Sequence, residues 1–194
     1  MCIRDRIPVV ADFTHPFDLP NPTIPPLRNI VYFPGSTIGN FEHDEAIELL
    51  RVMYEEAGAD GALVIGVDLQ KDPAVIHAAY NDSAGITARF NLNMLEHLNR
   101  EFGADFDLGS FEHRATYDTG SGRIVMELVS SQEQSVQMGG ARIQFAAGEA
   151  ITTEYSHKYT REGFAAMVAA AGFAVEKVWT DPQEWFAMHY CVRD

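Results

Sequence analysis

The sequence predicts an α/β fold, a partial Rossmann-like sheet over residues 1–70 followed by an α+β region over residues 71–194. Three observations predict it. Residues 30–33 and 62–67 are short, near-continuous apolar runs, as strands of a parallel sheet covered on both faces require. Between them, residues 42–57 repeat their apolar side chains at the helical period, so strand, helix and strand follow in doubly wound order. From Lys71 the texture changes to two helical stretches and then to alternating, glycine-punctuated patterns, which is the antiparallel signature.

Taken in order, residues 7–11 read as a short buried strand ending in Asp12-Phe13. A carboxylate followed by an aromatic ring suits a flat heterocycle, the acid accepting from an exocyclic amine while the ring stacks. Asp12 serves equally as a turn residue or helix cap. Five prolines between residues 16 and 26 impose an irregular, extended connection. Residues 30–33 then form a buried strand that breaks into Pro34-Gly35-Ser36-Thr37-Ile38-Gly39-Asn40. Its glycines let the backbone bend and approach a ligand, and Ser36, Thr37 and Asn40 supply short polar groups. A loop between a strand's carboxyl end and a helix is where open α/β sheets bind ligands. A turn without a ligand fits the spacing equally well. The helix that follows carries Ile47, Leu50, Tyr54 and Ala57 on one side, acids in its first turn, and Gly58 at its end.

In the second region Asp72-Pro73 opens a helix to about residue 80, and a longer one spans about residues 84–102. The stripe expected to face its core is Ile86, Phe90, Met94, Leu98 and Phe102. Residues 111–117 and 123–130 flank a Thr-Gly-Ser-Gly turn as a hairpin, with Ile124, Met126 and Leu128 on one face. Residues 135–138 and 141–145 are further strands around Gly139-Gly140. Along residues 151–159, strict alternation places Thr152, Glu154, Ser156 and Lys158 on one face. Thr160 caps a last helix, and residues 173–179 and 185–192 close the chain as strands.

Composition narrows the function. A net charge of −14 gives no basic surface for nucleic acid or an anionic membrane. The longest apolar run, residues 165–175, is too short to span a bilayer. Cys2 and Cys191 match no zinc or disulfide framework, so a reducing cytoplasm is the expected compartment. Residues 1–6, MCIRDR, join no pattern that follows and read as foreign to the fold. The seven histidines lack metal-ligand spacing, and no nucleophile triad or phosphate-cradling glycine motif is present. What remains is polar and suited to orienting an amino acid: Ser36, Thr37, Asn40 and Tyr80, with Glu154 and Ser156.

The stretches IVYFPGSTIGNF, GVDLQKDPAVIHAAYNDSAGITARFNLNMLEHLNREFGADFD and GEAITTEYSHKY strongly resemble the L-histidine Nα-methyltransferases of ergothioneine biosynthesis. The likeness runs from about residue 7 to the end. It implies a class I methyltransferase sheet of Rossmann type followed by a substrate-binding domain. The implied cofactor is S-adenosylmethionine, and the implied reaction is trimethylation of the α-amino group of L-histidine to hercynine. The residues matching family positions would be Asp12 and Phe13 at the donor's adenine. Gly35, Thr37 and Asn40 would contact the amino acid, Tyr80 its carboxylate, and Met126, Glu154 and Ser156 its imidazole. No catalytic side chain and no metal are implied, and a monomer is the expected state.

The family's glycine-rich donor loop, its ribose carboxylate and its amino-terminal tyrosines lie upstream of the Asp-Phe pair, where eleven residues stand here. The chain therefore reads as the carboxyl-terminal part of such an enzyme. Two further expectations stay open: a related enzyme for another amino acid, such as a tryptophan derivative, and a non-catalytic amino-acid-binding fragment.

Overall fold

The structure, a computed structural model, describes residues 6–22 and 24–193. The segment 1–5 and Cys2 within it lie outside the described residues. The chain divides into two compact units, Met1–Leu69 with Tyr159–Asp194, and Gln70–Lys158. The break at 69/70 adjoins the boundary expected from sequence. The return at 158/159 corrects it, since residues 159–194 do not belong with 71–158.

The reason for that return is sheet pairing in the first unit. Strand β1 (Ile30–Phe33) lies parallel to β2 (Ala62–Asp68), and β2 has a second edge whose backbone groups need partners. Strand β9 (Phe186–Arg193) supplies them antiparallel, and β8 (Phe173–Thr180) pairs in turn with β9. The order is β1-β2-β9-β8, a mixed sheet in which β1 and β2 make the one parallel pairing and β9 runs against the other three strands. Helix α1 (His43–Ala57) packs Leu49, Leu50 and Met53 into a core shared with Leu63, Ile65 and Val67 of β2. Glu42 and Glu45 form a reciprocal capping box at its start, which satisfies backbone donors the helix leaves open. Helix α4 (Arg161–Ala170) adds Phe164, Met167 and Val168, and Thr160 caps it by accepting from the Gly163 N–H.

Two expectations fail in this unit. Residues 7–11 form no strand; they run extended with Val10 fully solvent-exposed, because no neighbouring strand among the described residues offers them a ladder. β1 is not buried either. It forms the sheet's edge, and Ile30 and Tyr32 are 55% and 66% exposed.

In the second unit, β3 (Phe111–Asp118), β4 (Arg123–Ser130) and β7 (Ala150–His157) form an antiparallel sheet with β4 in the centre. β5 (Gln134–Met138) and β6 (Ala141–Phe145) make a separate hairpin. Helices α2 (Pro73–Tyr80) and α3 (Ile86–Phe102) pack against the three-stranded sheet. Asp72 caps α2 by accepting from the Ala74 N–H.

Helix α3 is rotated from its expected face. Ile86, Phe90 and Phe102 are 62%, 66% and 61% exposed, whereas Asn91 and Leu95 are buried. Asn91 can face the core because its amide donates to the Glu127 carbonyl and bonds His113 Nδ1, so burial leaves it satisfied. A pattern that scores apolar residues alone misses such a position. Strand β7 departs too. A bulge leaves Thr153 unpaired, with Ile151 opposite Leu128 and Glu154 opposite Met126. Ile151 and Glu154 therefore share a face three residues apart, and Thr152 points the other way, against the strict alternation expected.

Candidate active site

In the first unit the loop after β1 is stitched to β2. Ser36 N–H donates to the Gly66 carbonyl at 3.1 Å, and Ser36 Oγ accepts from the Asp68 N–H at 2.9 Å. Gly35 and Ser36 take left-handed backbone with φ of 81° and 60°, a conformation that suits glycine and strains serine. This turn starts a single 3-10 turn, Thr37–Asn40, whose Ile38 is buried in the core and whose carbonyl accepts from Tyr159 Oη. Ser36 is thus a structural member of the loop. Thr37 is partly exposed and Asn40 exposed, and neither side chain is committed to a hydrogen bond.

Asp12 and Phe13 sit in an exposed turn of the same unit. Asp12 Oδ1 accepts from the Thr14 N–H at 3.0 Å and from Thr14 Oγ1 at 2.7 Å, and those bonds hold its carboxyl below the ordinary value. The Phe13 ring meets Phe33 and Phe41 edge-on, with centroids 5.7 and 6.4 Å away. It remains 44% exposed and lines a cavity of about 700 Å³ with Phe33, Val52 and Met53.

In the second unit Met126 and Glu154 are direct cross-strand partners. They line a cavity of about 270 Å³ together with Phe90, Asn93 and His97 of α3. Met126 is 2% exposed, whereas Glu154 is half-buried and receives a hydrogen bond from no described residue. Burial raises its carboxyl above the ordinary value, and the charge of Lys158 opposes that shift.

Ser156 of β7, Lys158 just past the end of that strand and Tyr80 at the end of α2 form a closed cluster. Tyr80 Oη donates to Ser156 Oγ at 2.8 Å, and Lys158 Nζ donates to each of them at 2.7 Å. Lys158 is 4% exposed, and its ammonium lies 4.7 Å from the centre of the Tyr80 ring. Behind Tyr80, His113 Nε2 bonds its carbonyl at 2.9 Å while Asn91 holds His113 Nδ1, which pins the end of α2. A carbonyl only accepts, so His113 is the Nε2–H tautomer.

Of the residues expected from sequence, Met126 and Glu154 meet at one cavity and Ser156 meets Tyr80. Gly35, Thr37 and Asn40 share one loop, and Asp12 and Phe13 one turn. Phe90, His97 and Lys158 were missed. Lys158 carried a signal, since it falls on the same strand face as Glu154 and Ser156. Phe90 carried a misleading one, because it was assigned to the core. Among the described residues no group of three His, Cys, Asp or Glu side chains could hold a metal, and no helix is long and apolar enough to cross a membrane.

The second unit thus holds a cavity with an unbonded carboxylate, and the first a loop at the carboxyl end of a strand in a mixed α/β sheet. Residues 5–193 match the family described as histidine-specific methyltransferase, SAM-dependent, and the chain belongs to that family. It is 40% identical over 168 residues to a histidine N-alpha-methyltransferase of Mycolicibacterium smegmatis, covering 86% of this chain and 52% of that protein. It is 31% identical to ergothioneine biosynthesis protein 1 of Neurospora crassa, covering 78% of this chain and 17% of that protein. The chain thus spans about half the length of the bacterial relative, or less of the fungal one. Among solved structures, the CcbJ methyltransferase of Streptomyces caelestis aligns with a TM-score of 0.44 at 12% identity, over 96% of this chain and 63% of that one.

Proposed function

We propose that the protein works as the histidine-selecting part of an S-adenosylmethionine-dependent L-histidine Nα-methyltransferase, giving N,N,N-trimethylhistidine (hercynine). Membership of the family and the names of the relatives support the reaction. The single observation that carries the substrate is Glu154, a half-buried carboxylate without a hydrogen-bond donor, beside Met126 in a cavity lined by an aromatic ring. An imidazole N–H supplies the missing donor, and Met126 and Phe90 bound the flat ring.

The other roles are those the family resemblance implies. Gly35, Thr37 and Asn40 orient the α-amino group, Tyr80 serves the carboxylate end, and Ser156 assists at the imidazole. The donor's adenine fits Asp12 and Phe13 in part: Phe13 keeps an exposed ring face, while Asp12 already accepts two bonds from Thr14 and has lone-pair capacity left. S-adenosylmethionine, when bound, supplies a methyl group on a sulfonium centre. The amine needs no strong base, since its reference pKa of roughly 8 leaves a useful neutral fraction near neutrality. Asn40 and Thr37 then act by aiming the nitrogen lone pair. A cytoplasmic monomer is the working arrangement in this reading.

The test is mass spectrometry of the chain restored to the full length of its relatives and incubated with S-adenosylmethionine and either histidine or tryptophan. Methylated histidine is the expected product. Methylation of tryptophan alone overturns the substrate, and product from neither favours a binding-only protein. The variant Glu154→Ala with Met126→Val is expected to shift the kcat/KM ratio towards tryptophan, and an unchanged ratio removes the selecting role from this pair.

A further inference from the structure

The carboxylate role proposed for Tyr80 depends on where the last turn of α2 is held, and a histidine of β3 holds it. The final carbonyls of a helix have no partner within the helix. At the end of α2 the Tyr80 carbonyl accepts from His113 Nε2 at 2.9 Å. One residue on, Asn81 Nδ2 donates to the His77 carbonyl at 3.2 Å and to the Ala115 carbonyl of β3 at 3.0 Å. Strand β3 therefore grips the end of α2 at two alternate residues, His113 and Ala115.

Carbonyls at both ends fix the hydrogens in this grip. Asn91 Nδ2 lies 3.0 Å from the Glu127 carbonyl, which only accepts, so that atom is the amide nitrogen. It therefore donates to His113 Nδ1, 2.9 Å away. The Tyr80 carbonyl also only accepts, so His113 carries its hydrogen on Nε2 and leaves Nδ1 bare. A proton on Nδ1 would face the Asn91 N–H. Asn91 is 3% exposed, and a buried amide keeps such bonds because their loss leaves it unsatisfied. At the far tip of Tyr80, the Lys158 ammonium stands 2.7 Å from the phenol oxygen. That charge favours an anion beside the Tyr80 hydroxyl, whichever way the hydroxyl's own proton points.

We infer that His113 is a positioning residue: as an Nε2–H donor set by Asn91, it holds Tyr80 where its hydroxyl meets the substrate's α-carboxylate, and so sustains a preference for the amino acid over the corresponding amine. This rests on the histidine reading above and concerns the carboxylate end of the substrate. His113 acts through Tyr80 and touches no reacting atom. Replacing a merely structural histidine would weaken amino acid and amine alike.

The experiment is calorimetric titration of the chain, restored to the full length of its relatives, with histidine and with histamine. Histamine keeps the ring and the amine and lacks the carboxylate. The unaltered protein is expected to bind histidine roughly ten- to a hundredfold more tightly, the worth of a hydrogen bond to a charged group. His113→Leu, checked for folding by circular dichroism, is expected to lower that ratio about tenfold by weakening histidine alone. His113→Gln keeps a donor for the Tyr80 carbonyl and is expected to restore most of the ratio. An unchanged ratio in folded His113→Leu, with both ligands weakened equally or neither weakened, overturns the inference. Nitrogen-15 spectra of the unaltered protein give a check that needs no variant. They are expected to show His113 with its hydrogen on Nε2, and a hydrogen on Nδ1 instead overturns the hold. An unaltered protein that fails to bind histidine, or binds it no better than histamine, is a different result: it removes the substrate reading, and this inference with it.

Discussion

Glu154 and His189 each hold a titratable group whose charged form is disfavoured by burial. Burial raises the Glu154 carboxyl, so the folded chain takes up a proton there more readily than the unfolded one. Stability from this group therefore falls as pH rises past about 4.5, the unperturbed value, and through the raised one. Glu154→Gln is expected to raise Tm at neutral pH, with the gain vanishing below about 4.5, while weakening histidine binding about tenfold or more. A Tm no higher at neutral pH than in the unaltered protein would count against the desolvation argument. His189 is 1% exposed, leans on Phe164 with ring centroids 4.8 Å apart, and finds no hydrogen-bond partner for either nitrogen among the described residues. Burial first, and then the charge of Arg161, pushes its pKa down to about 4. The unfolded chain protonates this ring below about 6.5 and the folded chain does not, so stability should drain away as pH falls from about 6.5 towards 4. His189→Leu is expected to flatten that slope in thermal melts recorded across the same range. A slope unchanged by the substitution would place the acid sensitivity elsewhere.

At the scale of elements, the loop after β1 depends on Ser36 more than on the residues proposed to meet substrate. Ser36→Ala leaves the Asp68 N–H without its acceptor and keeps a side chain in left-handed backbone, a loss of about 1–2 kcal/mol. The check is hydrogen exchange: the Asp68 amide is expected to exchange faster, and an unaltered rate there would show that the stitch is not needed. Much at this scale was legible. The helical period, the Asp72-Pro73 start, the Thr160 cap and the hairpin turns are local chemistry, and the chain obeyed them. The failures have a common cause, which is that the deciding contact lies far away in sequence. Residues 7–11 lacked a neighbouring strand, α3 turned because a satisfied Asn91 went inward, and the Thr153 bulge is set against β4. The site shows the same division. Glu154, Ser156 and Met126 could be named from motif and strand face, but the ring of donors joining Tyr80 to Lys158 needed the packing of α2 on the sheet.

Across each unit as a whole, the weak feature is the outer edge of β1. No described strand pairs with it on one side, and Ile30 and Tyr32 stand exposed on it. Open, apolar edges template association between chains. Tyr32→Lys is expected to lower concentration-dependent light scattering without altering Tm by more than a few degrees. Scattering that does not change would exonerate this edge.

The second unit begins and ends at one place: Gln70 Nε2 donates to the Lys158 carbonyl at 3.2 Å, so the 70–158 segment leaves and rejoins the chain through neighbouring residues. Such a segment behaves as a cassette. Its core, its cavity and its cluster of donors are encoded in one continuous run of sequence, and the sheet that precedes and follows it has a core of its own. Recombination at the two chain positions that bound the segment would exchange the whole proposed apparatus of ring recognition in one event. Amino-acid preference in this family would then be heritable as a module, able to change by transplantation as well as by substitution of single pocket residues.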